Sequence, residues 1–263
     1  MSMTMKGWLK DPADIKYVSF DTVHRAFTAQ ASPQAQSGKD YDIPYEPPAY
    51  DQLDLGACVP NAACGAANMV LSVEQQQPVL LSRLFLYWLC RESMGTVDRD
   101  SGTFPSLAVD RIGKIGVCGE DIWQYTDANF ALPPPPETYK EASDNKITAW
   151  YRIDAQGPAR LSQLEIALRS NHPVIFGTPC SNTIQMYRAG QVLGAPAPGT
   201  LTGGHSMTFS GIRYVDGQRV WRIRNSWSPA YGDNGHLLID DSWASWPSLD
   251  DLWVLTRINP ILL

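Results

Sequence analysis

The sequence predicts a two-domain α+β fold, a helical half followed by an antiparallel sheet half. Three observations predict it. Apolar residues recur at helical spacing through Cys58–Gln75, Ser82–Ser93 and Phe104–Ile115. After a run of four prolines, Pro133–Pro136, the texture changes to short alternating or continuously apolar runs bounded by turn residues. The proline run itself donates no backbone hydrogen bond and is stiff, which suits a domain boundary. The chain then divides into an N-terminal arm (1–45), a helical domain (46–136) and a β-rich domain (137–263).

Taken in order, Lys6–Asp21 carries the apolar anchors Gly7-Trp8-Leu9 and Val18-Ser19-Phe20, separated by polar residues and a proline. It reads as an extended segment that docks on a body or covers an active site. A short helix fits within Thr22–Gln36, and Ser37–Tyr50 has loop composition. The helix at Cys58 has Pro60 in its first turn, where the missing N–H costs nothing. Gln76-Gln77-Pro78 ends it. Leu84, Phe85, Trp88 and Leu89 give the second helix a core face. Gly116 stops the third. Beyond the prolines, Ile147–Ile153 is a strand, Leu161–Arg169 a short helix, and Pro173–Gly177 a buried strand. Gly190–Gly204 reads as a loop. His205–Val215, Arg219–Arg224, His236–Asp240 and Leu252–Arg257 read as strands, with Asp216-Gly217 as a hairpin turn.

The 263 residues, 44% hydrophobic and 18% charged, are ordinary for a globular protein of one large or two small domains. A net charge of −6 with no basic stretch argues against nucleic acid as a partner. No apolar run reaches the roughly 18 residues of a membrane span. No signal peptide is expected at the N-terminus. The five cysteines, Cys58, Cys64, Cys90, Cys118 and Cys180, are odd in number and sparse, with no zinc-like spacing. They predict no metal site and a reducing, cytoplasmic setting, with one disulfide among them and a virion-associated or non-classically exported location left open; nucleophilic thiol chemistry needs no cofactor.

The chemistry-bearing residues begin with Cys58. At a helix N-terminus it meets unpaired N–H groups and the positive end of the helix dipole, which favour the nucleophilic thiolate. Gly204-His205 opens an apolar strand. Asn225-Ser226-Trp227 follows twenty residues on, so a hairpin places Asn225 beside His205. Asn225 then fixes the imidazole tautomer in a nucleophile–base–orienter arrangement. Trp227 covers that hydrogen bond or serves the core.

Gln52, then Cys58 six residues later, then Gly204-His205, then Asn225-Ser226-Trp227, resembles the papain-like cysteine peptidases. The cysteine-to-histidine and cysteine-to-asparagine separations are 147 and 167, near or slightly beyond the family's roughly 130–150. Asp51-Gln52, Leu55-Gly56-Ala57-Cys58, Gly116-Val117, Glu120, Trp123 and Tyr125 are similar to the family's bacterial, archaeal and phage-type branch. The resemblance implies a helical left domain, a β-barrel-like right domain and an active site in the cleft between them. It implies Cys58 as nucleophile, His205 as acid/base and Asn225 as orienter. Gln52 and the Cys58 N–H become the oxyanion donors. Gly102, Thr103, Gly204 and Trp227 become substrate-binding residues. The implied partners are a peptide or protein substrate and a protein or propeptide-like inhibitor, with no nucleic acid and no membrane.

Three departures stand out. Leu55 replaces a disulfide-forming cysteine of many members, Val59 a tryptophan and Ser228 a glycine. The roughly 45 residues before the catalytic region are fewer than the family's usual inhibitory propeptide. The expected activity is peptide-bond hydrolysis through a thioester, most naturally by an endopeptidase. The alternatives are an acyltransferase on the same residues and a non-catalytic papain-fold binding module.

Overall fold

The structure is a computed structural model that describes residues 3, 5–30 and 38–257. A 3-10 turn at Phe20–Thr22 leads into α1 (His24–Gln30), and β1 (Tyr41–Asp42) follows. The helix expected within Thr22–Gln36 is α1; positions 31–36 of that span lie outside the described residues.

Helix α2 (Cys58–Gln75) starts at the cysteine, and every residue from 58 to 72 is buried. This explains its apolar residues on all sides: it is a central helix, covered by its neighbours. Gln76 closes it in the left-handed conformation (φ 55°). In α3 (Arg83–Met94) the Ser82 hydroxyl accepts from the Phe85 N–H, and Gly95 (φ 66°) ends the helix. Next come α4 (Pro105–Lys114) and α5 (Asp127–Phe130), then α6 (Pro136–Ala142), whose first residue is the last proline of the run.

The second half holds β2 (Ala149–Ile153), α7 (Gly157–Arg169), β3 (Val174–Ser181), β4 (Val192–Leu193), β5 (Leu201–Val215), β6 (Gln218–Arg224), β7 (His236–Ile239), α8 (Asp241–Ala244) and β8 (Asp250–Thr256). The sheet order is β2-β8-β3-β5-β6-β7-β4, with β1 on β5. All pairs are antiparallel except β4 with β7, which is parallel and departs from the expected pattern. The β5–β6 turn at Asp216 (φ 50°) and Gly217 (φ 77°) has the left-handed pair that a tight hairpin needs.

Two expectations are corrected. Helix α7 begins at Gly157, before the expected Leu161, because Pro158 fits a first turn. The expected loop Gly190–Gly204 contains β4 and the start of β5. Gly203 and Gly204 pair with Cys180 and Pro179. Glycine's low strand propensity conceals this from the sequence.

Packing falls into two large clusters. The helical one gathers α2, α3 and α4 with Ala142 and Ile147, and reaches Ile175, Trp253 and Leu255 of the sheet. The other lies on the sheet's opposite side and takes in Phe20, Val23, Phe27, Tyr41 and Ile43 from the N-terminal region. The described residues of this region thus behave in two ways: Phe20, Val23, Phe27, Tyr41 and Ile43 contribute to the core, whereas 5–11 runs along the cleft. All five cysteines are buried and free. Among the described residues no helix is long and apolar enough to cross a membrane.

Phe27 packs edge-on to His172 (4.7 Å) and Tyr151 (5.9 Å) and against Phe20 (5.3 Å). Phe27→Ala is therefore expected to cost about 3–5 kcal/mol in denaturant unfolding; a loss below about 1 kcal/mol contradicts the packing. Thiol counting on denatured, non-reduced protein should find five free thiols, and two fewer would mean a disulfide.

Candidate active site

Cys58 is fully buried at the N-terminus of α2. Its thiol lies against the Ser206 backbone on β5, and the Thr208 hydroxyl ties the same strand to the Ala62 carbonyl (3.0 Å). The turn ahead of the helix is held from both ends. Gln52 Nε2 donates to the Leu55 carbonyl (3.0 Å), and the Gly56 N–H donates to both oxygens of Asp100 (2.9 Å each). Asp100 also accepts the Tyr87 hydroxyl (2.7 Å), which accepts the Gly102 N–H (2.9 Å). One chain of hydrogen bonds therefore joins Gly56 to Gly102.

His205 Nε2 lies 2.8 Å from Asn225 Oδ1. That Asn225 atom also accepts the Ser226 N–H (2.8 Å), so it is the amide oxygen and the ring nitrogen facing it carries the proton. Nδ1 is then the basic nitrogen, and it is buried without a hydrogen-bond partner. Trp227 stacks on the imidazole with centroids 4.8 Å apart and planes 21° from parallel.

The segments bearing Gln52 and Asn225 are paired. Gln52 N–H donates to Ser226 O, and Ser228 N–H to Tyr50 O (2.8 Å each). The Ser226 hydroxyl donates to Gln52 Oε1 (2.6 Å), which fixes the Gln52 amide with its NH2 on the other side. Arg83 stacks between Tyr50 (4.3 Å) and Tyr125 (4.1 Å) and donates to the Asp51 carbonyl. The Tyr125 hydroxyl donates to the Gln52 carbonyl (2.9 Å). Gln52, Asn225 and His205 are thus tied together, and Cys58 lies against the backbone of Ser206, the residue after His205. Sequence reasoning missed Ser226, Arg83 and Asp100 as supports. Ser226 sits inside the Asn-Ser-Trp tripeptide and was within reach; the other two carry no spacing signal.

The remaining candidates meet the N-terminal segment. Thr103 N–H donates to Gly7 O (2.9 Å) and Leu9 N–H to Thr103 O (3.0 Å), so Trp8 pairs with Thr103 as in a parallel ladder. The Trp8 indole lies on Gly177 and Gly204, where an added Cβ would stand 2.1 Å and 2.7 Å from the ring. Its Nε1 donates to Asp251 (3.0 Å). Gly7 (φ 111°) presses on Gly56 and Gly102, and the Met5 carbonyl on Gly203. The glycines serve a close approach, made here by the chain's own segment. Trp227 stands behind His205, fully buried against it and Tyr231.

Burial sets the charge state. It pushes the Cys58 thiol up to about 12, with the Asp100 charge adding to the rise and backbone hydrogen bonds opposing it. It pushes His205 down to about 4, opposed by the Asn225 hydrogen bond. In this covered state the pair is neutral thiol and neutral imidazole. Burial thus opposes the thiolate that the helix N-terminus favours, since a charge without solvent or a partner is costly. Burial and the Asp11 charge raise Asp251 to about 6, and burial raises Asp11.

A family model described as papain family cysteine protease matches residues 44–245. A peptidase C1-like protein of Acanthamoeba polyphaga mimivirus is 28% identical over 222 residues, 81% of this chain and 71% of that protein. A cysteine proteinase of Theileria annulata is 25% identical over 76% of this chain, which spans 43% of that protein. Among solved structures, xylellain, a cysteine protease from Xylella fastidiosa, superposes with a TM-score of 0.80 at 28% identity and 97% coverage of both chains. Procathepsin B from Trypanosoma congolense shares the fold, with a TM-score of 0.69 at 16% identity over 96% of this chain and 86% of that one.

Two outcomes follow from the covering segment. Trp8→Ala should raise the alkylation rate of Cys58 at neutral pH by at least about tenfold, since loss of a packed indole outweighs 1.4 kcal/mol; an unchanged rate contradicts the occlusion. Asp251 binds its proton more tightly with the segment docked than when exposed. Docking is therefore strongest below the ordinary carboxylate range and weakens as pH rises through about 6. Limited proteolysis at Lys6 and Lys10, normalised to a free peptide of the same sequence, should be slower at pH 5 than at pH 7.5, and Asp251→Asn should flatten the difference.

Proposed function

The chain belongs to the papain family of cysteine proteases and is a cysteine peptidase, and on that premise we propose that Cys58, His205, Asn225 and Gln52 perform the hydrolysis. The observation that carries this assignment is the His205 Nε2–Asn225 Oδ1 hydrogen bond of 2.8 Å, which leaves Nδ1 as the basic nitrogen for a thiol at the start of α2.

With a peptide in the cleft, His205 Nδ1 takes the Cys58 proton and the sulfur attacks the carbonyl carbon. The oxygen that becomes negative is held by the Cys58 N–H and by the second hydrogen of Gln52 Nε2, the first being held by Leu55 O. His205 returns the proton to the leaving amine as the tetrahedral adduct collapses to a thioester. A water molecule, deprotonated by the same nitrogen, then attacks the thioester, and the carboxylate product leaves. Asn225 keeps the imidazole in the tautomer these steps require. Ser226 keeps the Gln52 amide turned the right way.

We place an extended substrate against Gly102, Thr103 and Gly204, the surface that residues 5–9 cover. An open-ended surface suits an endopeptidase. Residues 3–11 act on this reading as a propeptide-like inhibitor in the same chain, supported by the Gly7 and Leu9 hydrogen bonds to Thr103. On this reading segments 46–136 and 137–257 form the two walls of the cleft. The five unpaired thiols support a reducing, cytoplasmic setting.

The test is kinetic. Measured in protein carrying Trp8→Ala, which uncovers the cleft, Cys58→Ala should abolish peptide cleavage without lowering stability by more than about 1 kcal/mol. Gln52→Ala should cost about 10²–10³ in turnover, and Asn225→Ala less than His205→Ala. An epoxysuccinyl thiol reagent should add to Cys58 alone by mass spectrometry. Labelling elsewhere, or full turnover in Gln52→Ala, contradicts the assignment.

A further inference from the structure

The cleft beside Cys58 contains a carboxylate that the reaction does not use. Asp100 spans the Gly56 N–H with both oxygens (2.9 Å each) and takes the Tyr87 hydroxyl on Oδ1. A carboxylate has about four lone-pair sites. The remaining one, on Oδ2, is filled by the Lys6 ammonium of the covering segment at 3.1 Å. Among the described residues Lys6 is the one cation paired with Asp100. Arg91, the other cation whose charge interacts with Asp100, donates instead to the Val97 and Phe130 carbonyls.

We propose that Asp100 is the anionic end of a substrate subsite that takes a lysine or arginine side chain, and that Lys6 occupies it as a stand-in while the cleft is covered. The proposal rests on the peptidase reading above and names a preference within it. Gly56 and Gly102 border the carboxylate and present no side chains. A Cβ at Gly56 would stand 3.1 Å from Asp100 Oδ1, and one at Gly102 would strike the Gly7 carbonyl. A peptide backbone lying where Gly7 lies therefore has a clear path from its neighbouring side chain to Oδ2. When the segment leaves, the carboxylate keeps its two protein donors, loses its cation and faces the cleft. A neutral or acidic substrate leaves that charge unanswered, and an acidic one is repelled.

The same charge opposes ionisation of the Cys58 thiol. A basic side chain seated on Asp100 offsets that field at the moment the nucleophile must form. Tyr87 adds rigidity, because its hydroxyl links Asp100 to Gly102 on the opposite border of the subsite. The contact is half exposed to solvent, so its strength is modest and sensitive to salt.

The test uses the full-length chain carrying Trp8→Ala, which opens the cleft, and fluorogenic peptides with Lys, Arg, Ala or Glu at successive positions. At one position next to the cleaved bond, Lys and Arg should exceed Ala by about two- to fivefold in kcat/KM, mostly through KM, with Glu slowest. Raising salt from about 0.05 M to 1 M should shrink that ratio toward one. Asp100→Asn in the same background should bring the Lys-to-Ala ratio near one, whichever way the common rate moves. A ratio unchanged by Asp100→Asn, or one indifferent to salt, overturns the proposal while leaving the peptidase reading standing. Loss of all cleavage in Asp100→Asn with no salt-sensitive preference in the parent makes Asp100 a prop of Gly56 and overturns it too. No cleavage of any peptide by the parent overturns the peptidase reading and this proposal with it.

Discussion

The site depends on the pairing of Tyr50–Gln52 with Ser226–Ser228, two short segments 174 residues apart at Gln52 and Ser226. Two backbone hydrogen bonds and one hydroxyl bond join them. Through that seam the glutamine amide, the asparagine that orients the histidine and the N-terminus of α2 share one frame. Each on its own is a common polar group. On the proposed assignment they serve together as an oxyanion donor, a base with a defined tautomer and a nucleophilic thiol. The supports around the seam are stiff: Arg83 is stacked between two tyrosines, and Trp227 covers the imidazole. Preorganised dipoles of this kind act on a developing charge without having to reorient.

On the proposed reading, the N-terminal segment turns the same frame off by drying it. Burying a thiolate and an imidazolium without solvent is costly, whereas burying the neutral pair is cheap. Once Trp8 and Gly7 cover the cleft, the two groups relax to thiol and imidazole. The segment is anchored by a strand-like pairing at Thr103, the Trp8–Asp251 hydrogen bond and the Lys6–Asp100 and Lys10–Asp250 ion pairs. Residues 20–30, by contrast, belong to the sheet's core. On the proposed reading, release frees residues 5–11 and leaves Phe20 and Phe27 in their packing.

Much of this was legible in the sequence because its determinants are local. The start of α2 at Cys58 follows from an apolar run with Pro60 in the first turn. The His205–Asn225 contact follows from a hairpin marked by Asp216-Gly217. What stayed hidden was long-range or carried by residues with weak local preference. Trp8 finds Asp251 across 243 positions, and nothing near either residue announces the other. Gly203 and Gly204 resemble loop residues, yet they are strand residues kept small for the segment that crosses them. Asp100 carries no local signal, because its partners come from a turn, a helix and the N-terminal segment.

The central claim is that residues 5–9 close an already assembled catalytic frame. It is tested most directly by hydrogen exchange of the Leu9 amide and the Trp8 indole N–H in Cys58→Ala protein, with and without saturating peptide substrate. Both donors are hydrogen-bonded in the closed state. The account predicts slow exchange in the free protein and fast exchange when substrate occupies the cleft, with the amides of Gln52 and Ser226 equally protected in both. Fast exchange at Leu9 and Trp8 without substrate, or protection of Gln52 and Ser226 that appears only on substrate binding, would contradict it.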